Sequence, residues 1–383
     1  MTTKEVHRAY KFRFYPNPEQ EENLIRTWGC VRVVYNKALE LRKTAWYKHQ
    51  EKTSYADTST ALTEWKKTDD LSFLREVSSV PLQQALRNLQ TAFSNFWSKR
   101  AKHPRFKSLK KSRLGLNYTK AGISFRDGEV KLAKHSEPLN IVWSRSVDLS
   151  SVLSATVTRD KAGRWFISLL SAETIDREPV TGKTVGIDLG VKDAVVTSNG
   201  DRYNPSDLFD VKKKQALVAK RQKSLSRKAK GSKNRDKARI KLARAHSKLA
   251  DAKRDWLHKV TTRLVEDFDV ICIEDLNVRG MTASATGKGR AAKASLNRGI
   301  LSNNFGEFRS MLEYKASWYG KEVIVIDRFF PSSKRCSECS QVNHDLKLSQ
   351  RFWSCECGTH HDRDINAATN IKAAGLAVLA SGV

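Results

Sequence analysis

The sequence predicts a multidomain protein of the α/β plus β class. An N-terminal β-barrel with an inserted helical bundle is expected first, followed by an α/β domain that carries an inserted zinc ribbon. The chain has 383 residues, more than one typical domain. Helical periodicity up to about residue 100 gives way to short strand-like runs, and two close cysteine pairs interrupt the last part of the chain. Two or three domains are therefore expected.

The charge balance indicates a polyanionic partner, for which nucleic acid is the natural candidate. The formal net charge is +29 and the sequence pI is about 9.9. A basic membrane-surface protein is the alternative, but no stretch sets an aromatic and leucine face opposite its lysines. No apolar run approaches the roughly 18 residues of a membrane span. We therefore expect a cytoplasmic protein, in the cytosol or at a nucleoid, without a membrane partner.

The first strand alternates basic and aromatic side chains. Between Tyr10 and Pro16, Lys11 and Arg13 are predicted on one face and the aromatic residues on the other. Such a strand can line a groove for a phosphate backbone. An ordinary amphipathic strand of a sheet is the alternative interpretation.

Two helices are predicted next. Pro18 and the acidic residues after it are typical of a first helical turn, and apolar residues continue at helical spacing to Leu41. The second helix is predicted over Leu82–Arg100. Its polar face can contact base edges, although amides are also common on solvated helix faces. The candidate residues are Gln83, Gln84 and Arg87.

Short β-type runs, separated by Gly, Asp and Pro, follow from Pro104 to about Glu178. They predict an antiparallel sheet or small barrel, to which the N-terminal strand also belongs if the helices are an insertion. The runs lie at 122–126, 129–133, 139–143, 155–159 and 165–170.

The C-terminal half contains two apolar strands that end in acids. A β-branched run ends at Asp188 before a glycine, and a return strand over 193–198 closes a hairpin. A buried run from Val270 ends at Glu274 and Asp275. Because neighbouring side chains on a strand alternate, Asp275 is expected to face away from Glu274 and to form a salt bridge or a cap.

The most basic part of the chain lies between these two strands. Residues 211–254 contain eighteen Lys or Arg and two acids. The apolar spacing within residues 238–264 predicts one long helix with a thin apolar seam and an otherwise positive circumference. We expect that face to contact phosphates through Lys241, Arg244 and Lys248, with a merely solvated face as the alternative.

The segment Gly280–Gly299 is rich in Ala, Ser, Gly, Lys and Arg and has no periodicity. It predicts a mobile basic loop beside the site that can act as a lid. A helix over Phe305–Tyr319 and a strand over Glu322–Asp327 complete the predicted elements before the cysteines.

Two cysteine pairs predict a structural zinc site. Cys336 and Cys339 precede Cys355 and Cys357 by about fifteen residues, a spacing at which two knuckles can surround one tetrahedral zinc. Four thiolate ligands leave no position open for catalysis. The two remaining cysteines are isolated, which favours a reducing compartment over a disulfide framework.

Three carboxylates on separate elements form the candidate site. Asp188 and Glu274 end strands and Asp364 begins a helix, so an α/β sheet can bring them together. Carboxylates without a nucleophilic Ser or Cys suit hard divalent cations, and two Mg²⁺ roughly 4 Å apart can support in-line phosphodiester hydrolysis. Asp362 can either cap that helix or be the third acid itself, and the pattern alone leaves both interpretations open.

These motifs resemble the TnpB family, the RNA-guided nucleases of bacterial insertion sequences. The resemblance rests on Gly186–Gly190 (Gly-Ile-Asp-Leu-Gly), Ile273–Leu276 (Ile-Glu-Asp-Leu), the cysteine pairs, and Asp362–Ile371 (Asp-Arg-Asp-x-Asn-Ala-Ala-x-Asn-Ile). Tyr10–Pro16 and Phe308–Lys321 extend it over most of the chain.

The resemblance implies a RuvC-type RNase H-like nuclease domain with an inserted zinc ribbon that binds target nucleic acid. It also implies an N-terminal wedge β-barrel with an inserted helical recognition bundle. The implied boundaries are 1–17 and 101–180 for the wedge barrel, 18–100 for the helical domain, 181–330 and 359–383 for the nuclease domain, and 331–358 for the zinc ribbon.

The resemblance implies an activity as well. The family's three catalytic acids match Asp188, Glu274 and Asp364, which favours Asp364 over Asp362. A member is expected to bind a noncoding guide RNA from its transposon's end and to work as a monomer with that RNA. It would cut target double-stranded DNA beside a short motif, using Mg²⁺, where an RNA–DNA heteroduplex has formed. The alternatives are a guide-dependent regulator without cleavage and a structure-specific nuclease that needs no guide.

The second cysteine pair departs from the family pattern. One residue separates Cys355 from Cys357, where the family usually has two. Zinc binding remains the expectation, with His344, His360 or His361 as substitute ligands.

Overall fold

The computed structural model describes residues 3–110, 112–283, 289–347 and 349–381. The chain divides into two compact units, and each has its own hydrophobic core. The first unit is Glu5–Thr174, and the second is Met1–Lys4 with Ile175–Val383.

The first unit contains a five-stranded sheet, in the order β2-β6-β7-β1-β5, and a separate hairpin of β3 and β4. Its strands are β1 (Thr3–Phe14), β2 (Leu114–Thr119), β3 (Ile123–Arg126), β4 (Glu129–Leu132), β5 (Ile141–Val142), β6 (Val152–Arg159) and β7 (Trp165–Asp176). Because β1 lies between β7 and β5, the N-terminal strand does join the strands that follow the helices.

Three α-helices complete this unit, namely α1 (Pro18–His49), α2 (Tyr55–Trp65) and α3 (Ser79–Trp97). The first helix begins with a capping box, in which Asn17 and Gln20 each accept a hydrogen bond from the other's backbone N–H, at 2.8 and 3.1 Å. The second has the same device at Ser54 and Asp57. The predicted α1 and α3 are confirmed, whereas the sequence analysis did not predict α2.

One core joins the helices and the sheet of the first unit. Phe12 and Phe14 of β1 are fully buried together with Leu24 of α1 and with Leu82 and Leu86 of α3. The aromatic face of the first strand therefore packs inward, as its alternation predicts. The basic face carries Lys11, which is exposed, and Arg13, which is partly exposed.

The second unit is built on a sheet in the order β10-β9-β8-β11-β12 and on the hairpin of β13 and β14. Its strands are β8 (Thr184–Asp188), β9 (Val195–Thr197), β10 (Arg202–Tyr203), β11 (Val270–Glu274), β12 (Glu322–Ile326), β13 (Phe352–Ser354) and β14 (His360–Asp362). Strands β8, β11 and β12 are parallel, while β9 returns antiparallel to β8. The predicted hairpin and both acid-ending strands are confirmed.

The helices of this unit are α4 (Val211–Ser226), α5 (Lys233–Asp267), α6 (Val278–Met281), α7 (Arg290–Asn303), α8 (Phe305–Tyr319) and α9 (Arg363–Ser381). The long basic helix is confirmed as α5, and its buried seam includes Leu242, Trp256 and Leu264. None of the described helices combines the length and the apolarity that a membrane span requires.

The prediction of an aperiodic loop over Gly280–Gly299 is wrong from Arg290 onwards, where the chain forms α7. Ala, Leu and Arg have high helix propensity, and this preference prevails over the lack of an apolar stripe. Asn297 and Lys293 also tie the helix to backbone carbonyls near the end of α6, at 2.9 and 2.7 Å. The middle of the predicted loop, residues 284–288, lies outside the described residues.

Helix α9 packs unusually close to the sheet. A Cβ at Gly186 of β8 would overlap the α9 backbone at Ala368 and Lys372, and a Cβ at Gly375 of α9 would overlap the Cys272 side chain of β11. Only glycine permits this approach. The close contact fixes the first turn of α9 beside the carboxyl ends of β8 and β11.

Candidate functional site

Asp188 lies at the carboxyl end of β8, next to the end of the parallel strand β11. Its side chain keeps some exposure, but the surrounding protein desolvates the carboxylate, and the charges of Glu274 and Asp364 add repulsion. Together these effects raise the pKa of Asp188 to about 7, with desolvation as the larger cause. The three predicted acids therefore lie close enough for their charges to interact.

Glu274 ends β11 and receives a short hydrogen bond from the hydroxyl of buried Ser332. Burial raises the pKa of Glu274, and the Ser332 hydrogen bond opposes that rise. Asn366 and Asn370 of α9 fix the segment that begins at Ser332. Both side-chain amides donate to the carbonyl of Arg335, at 2.8 and 2.6 Å, and Asn370 also donates to that of Ser332 at 2.8 Å.

The sequence analysis did not identify Ser332 as a site residue. Its relation to Glu274 depends on tertiary packing, so no local pattern marks it. The two asparagines that hold its segment lie four residues apart on α9, and that spacing on one helix face was visible in the sequence.

Asp364 is in the first turn of α9 and is 7% exposed. Arg351 donates to its Oδ2 at 2.6 Å, and Arg363 to its Oδ1 at 3.3 Å. Asp362 instead caps the helix: its Oδ1 accepts from the backbone N–H of Asp364 at 3.0 Å and of Ile365 at 3.1 Å. Asp362 is therefore the helix cap, whereas Asp364 is the acid whose charge acts on Asp188, and the two arginines are partners that the sequence did not predict.

The donor chemistry of the three acids fits a hard divalent cation. Carboxylate oxygens are the ligands that Mg²⁺ prefers, and a cation would offset both the desolvation and the charge repulsion that raise the pKa of Asp188 to about 7. The carboxylates are not gathered as tightly as ligands of a single ion. Among the described residues, only the cysteine cluster has three or more ligand atoms all within 4.8 Å of one another.

Asp275 has the structural role that its position on the strand predicts. Arg309 donates to its Oδ1 at 2.7 Å, and Arg328 donates to its Oδ2. These two hydrogen bonds lower the pKa of Asp275, the one from Arg309 contributing most. The prediction of a salt bridge is confirmed.

The four predicted zinc ligands converge. Cys336, Cys339, Cys355 and Cys357 place their sulfurs within 4.8 Å of one another, with Cys336 to Cys357 at 3.7 Å and Cys339 to Cys355 at 3.5 Å. Sulfurs in a tetrahedral zinc site with Zn–S bonds near 2.3 Å lie roughly 3.8 Å apart. The cluster therefore has the dimensions of a four-thiolate zinc site.

The single residue between Cys355 and Cys357 does not prevent this convergence. Gly358, at φ 91°, closes a tight turn in which its N–H donates to the Cys355 carbonyl at 2.9 Å. The substitute histidines are outside the four-sulfur group. His361 stacks on Trp353 at 4.6 Å and places Nε2 3.1 Å from the Cys336 sulfur, as a hydrogen-bond partner of it.

The candidate nucleic-acid residues lie on exposed or partly exposed faces. Lys11 and Arg13 both lie over the ring of Phe166, at 4.2 and 5.4 Å from its centroid. On α3, Arg87 packs over Tyr55 at 5.5 Å. Gln83 is exposed and Gln84 is partly exposed.

The basic face of α5 contains both paired and unpaired cations. Lys241, Arg244 and Lys248 are exposed, and none of them forms an ion pair within the described part of the chain. Three other cations of the helix have acidic partners on the helix itself, at 3.0 to 3.5 Å. These are Arg239, Lys259 and Arg263.

Three family models match parts of the chain. Residues 305–371 match the Cas12f1-like TNB domain, residues 167–285 match a family described as "Probable transposase", and residues 1–51 match a helix-turn-helix domain. The structure differs from the last description, because residues 3–49 form a strand and one long helix.

Two curated relatives align with nearly the whole chain. A Streptomyces pristinaespiralis protein named "Putative RNA-guided DNA endonuclease" is 52% identical over 381 residues, which is 99% of this chain and 92% of that protein. The Escherichia coli protein "Putative RNA-guided DNA endonuclease InsQ" is 34% identical, over 98% of this chain and 94% of that protein. A mimivirus "TnpB-like protein L79" is 32% identical over 48% of this chain. The chain belongs to the TnpB family.

Solved structures share the fold of this TnpB family member. A Cas12f1–sgRNA–target DNA complex matches 96% of this chain and 99% of its own, with a TM-score of 0.59 at 14% sequence identity. The mini-RNA-guided endonuclease CRISPR-Cas_phi3 matches 97% of this chain and 92% of its own, with a TM-score of 0.50 at 10% identity. The likeness to these solved structures is one of fold, and the TnpB resemblance of the sequence is confirmed by the two relatives that align with nearly the whole chain.

Proposed function

We propose that this TnpB family chain is an RNA-guided DNA endonuclease of RuvC type, with Asp188, Glu274 and Asp364 as its catalytic acids. The observation that carries the proposal is the placement of the three acids. Asp188 and Glu274 end the neighbouring parallel strands β8 and β11, and Asp364, in the first turn of α9, lies near enough for its charge to act on Asp188. Placing acids this close together destabilises a fold, and such clusters are typical of catalytic or metal-binding sites. The names of the full-length relatives support the same activity.

Each residue of the site has a distinct role in this proposal. Asp188, Glu274 and Asp364 would hold the divalent cations. Ser332 orients Glu274 through its hydroxyl. Asp362 fixes the first turn of α9 and hence the position of Asp364. When bound, two Mg²⁺ supply activation of the attacking water and stabilisation of the leaving oxygen of the phosphodiester.

The partners proposed are a noncoding guide RNA, target double-stranded DNA and the RNA–DNA heteroduplex between them. A net charge of +29 suits a long phosphate backbone, and base pairing then supplies sequence recognition. We assign phosphate contacts to Lys11 and Arg13 and to the unpaired cations of α5. Contacts to the motif beside the target are assigned to the polar face of α3, namely to Gln83, Gln84 and Arg87.

The domain boundaries and roles proposed are those that the TnpB resemblance implies. We assign residues 1–17 and 101–180 to a wedge barrel, 18–100 to a helical recognition domain, and 181–330 with 359–383 to the nuclease domain. Residues 331–358 form the ribbon, in which Cys336, Cys339, Cys355 and Cys357 would hold a structural zinc. Four thiols this close repel one another as thiolates, so a bound cation is what stabilises them together.

The test uses the purified chain with its co-purifying RNA and a plasmid that carries a sequence matched to that RNA. Nicking or cutting of the matched plasmid, dependent on Mg²⁺ and lost after RNase treatment, is the expected result. RNA and DNA binding without any cleavage would favour a regulator. Cleavage that survives RNase treatment would favour a structure-specific nuclease.

A further inference from the structure

A cavity of about 560 Å³ lies between the carboxyl-terminal ends of α1 and α3, within the first unit. Its volume is within the range of small-molecule sites, roughly 300 to 1,000 Å³. None of the candidate nucleic-acid residues described above lines it. Its walls combine aromatic rings, among them Trp46, Phe93 and Trp97, with three cations and one acid. The cations are Arg42, Lys43 and Lys52, and the acid is Glu51.

The rings form an open aromatic wall. Trp97 lies beside Phe93 with 5.4 Å between centroids and 30° between planes, and His103 meets Phe93 edge-on at 5.5 Å. Trp97 is nevertheless 61% exposed and Trp46 is 46% exposed. Two large exposed rings around one concave surface mark a binding site more often than they mark solvent-facing surface.

A buried arginine, Arg42, also lines the cavity. Its residue is 5% exposed, and its Nη2 donates to the Gln90 side chain at 2.5 Å. Its Nε and Nη1 are buried and have no hydrogen-bond partner among the described residues. The guanidinium also lies over the Phe93 ring, at 5.1 Å from its centroid, so its positive charge lies behind the aromatic wall and favours a ligand that carries acceptor atoms or negative charge.

The residues that line the cavity indicate which class of ligand it binds. A flat ring system with acceptor atoms on one edge would use both the aromatic wall and the charge of Arg42. An attached phosphate would be attracted by Lys43 and Lys52, which outnumber the single acid Glu51 in the lining. A purely apolar ligand would leave all three cations unused. We propose that this cavity binds one unpaired nucleotide of a single-stranded nucleic acid, with its base against Trp97 and Trp46 and its acceptor edge toward Arg42.

The inference rests on the proposed function, because it takes nucleic acid as the ligand class. The cavity involves none of the three acids, so binding can be measured apart from cleavage. We would measure binding of the full-length chain in Mg²⁺-free buffer by fluorescence anisotropy. The probes are labelled single-stranded RNA and DNA of mixed sequence, each paired with an abasic strand of equal length and charge.

Trp97→Ala is expected to weaken binding of the base-containing strand about tenfold, because base–aromatic stacking is lost, while binding of the abasic strand stays unchanged. Trp46→Ala should act in the same direction. Arg42→Lys keeps the charge but loses the forked donors, so it should also weaken only the base-containing strand. Trp143→Ala, at a tryptophan that is 41% exposed and outside the cavity, is the matched control and should change neither affinity.

The outcomes separate the sources of the nucleotide. A loss confined to RNA assigns the nucleotide to the guide, and a loss confined to DNA assigns it to a displaced strand; both support the inference. Equal losses on base-containing and abasic strands, or no loss in either tryptophan variant, would overturn it. A chain that binds in this tryptophan-dependent way but never cuts DNA would refute the proposed function alone.

Discussion

Asp362 and Asp364 lie two residues apart and both pair with Arg202, at 2.7 and 3.9 Å, but only Asp362 caps α9, and this difference predicts different mutational effects. Asp362→Ala removes the acceptor of two backbone N–H groups, so we expect it to lower the free energy of unfolding by about 1 kcal/mol while cleavage persists. Asp364→Ala should abolish cleavage. Urea unfolding midpoints and cleavage rates measure the two effects.

Asp362→Asn is the matched control for this pair, because an asparagine can still accept the capping hydrogen bonds. It should keep most of the stability that Asp362→Ala loses. If Asp362→Ala abolished cleavage while Asp364→Ala retained it, the assignment of the two roles would be reversed.

Asp269 predicts a pH dependence of stability. Burial alone would raise its pKa, but hydrogen bonds from Lys321 at 2.6 Å and from Thr181 and Gly182 hold the pKa at about 2. The unfolded value is about 4, so this stabilisation is present above pH 4 and is lost as the pH falls toward 2. Asp269→Asn should therefore lower the unfolding midpoint at pH 7, and its deficit should shrink below pH 4.

The expected loss at pH 7 is about 3 kcal/mol, since the substitution leaves the buried Lys321 ammonium with the more distant Glu178, at 3.7 Å, in place of Asp269. Asp267→Asn is the control, because Asp267 forms an exposed pair with Arg263 at 3.5 Å that contributes at most about 0.5 kcal/mol. A deficit of equal size at pH 3 and pH 7 would contradict the linkage.

Individual site residues could be predicted where a local sequence pattern identifies them. Asp188 and Glu274 follow from strands that end in acids. The helix start after the cysteines left Asp362 and Asp364 open, and only the family resemblance favoured Asp364. Ser332 and Arg351 were not predictable, because each meets an acid through chain segments whose placement only the folded unit defines.

The proposed zinc site, at the scale of one structural element, can be tested by substituting a cysteine. Cys336→Ser should lower bound zinc from one ion per chain to well below one, measured by elemental analysis, because three thiolates bind zinc more weakly than four. Cys30→Ser is the control: Cys30 is 2% exposed but lies outside the cluster, so the zinc content should not change. Full zinc content in Cys336→Ser would show that another residue completes the site.

The unpaired face of α5 predicts a salt dependence. Replacing Lys241, Arg244 and Lys248 by Gln should reduce the slope of log Kobs against log salt by about 2 to 3, because each lost phosphate contact contributes roughly 0.7 to 0.9. Filter-binding with guide RNA at four salt concentrations measures the slope.

The matched control is the triple Gln variant of the three paired cations on the same helix, whose acidic partners already neutralise them. These are Arg239, Lys259 and Arg263. The control should change the slope by less than the first variant. If both variants changed the slope equally, α5 would contribute to RNA binding only through its net charge.

Elements were predictable where periodicity is strong. The helices α1, α3, α5 and α8 follow from their apolar stripes. Strand β2 was missed because Gly115 and Asn117 resemble turn residues, although Leu116 and Tyr118 between them are fully buried. Helix α7 was missed because its apolar residues are few and Ile300 is the one that is buried, while contacts near α6, such as that of Lys293, hold the helix in place.

At the scale of the whole molecule, the sequence predicted an all-β part around inserted helices and an α/β part. The described structure contains both, but the helices and the first sheet form one compact unit because Phe12, Phe14 and the helical leucines share one core. Sequence patterns mark where elements begin and end. They do not indicate which elements bury their apolar faces together.

The central claim is that three acids, distant in sequence, act as one catalytic site. The most direct measurement is the cleavage rate of guide-matched DNA by Asp188→Ala, beside its affinity for guide RNA. The account predicts that cleavage is abolished while RNA affinity remains that of the wild type. Cleavage of matched DNA by Asp188→Ala at the wild-type rate would contradict it.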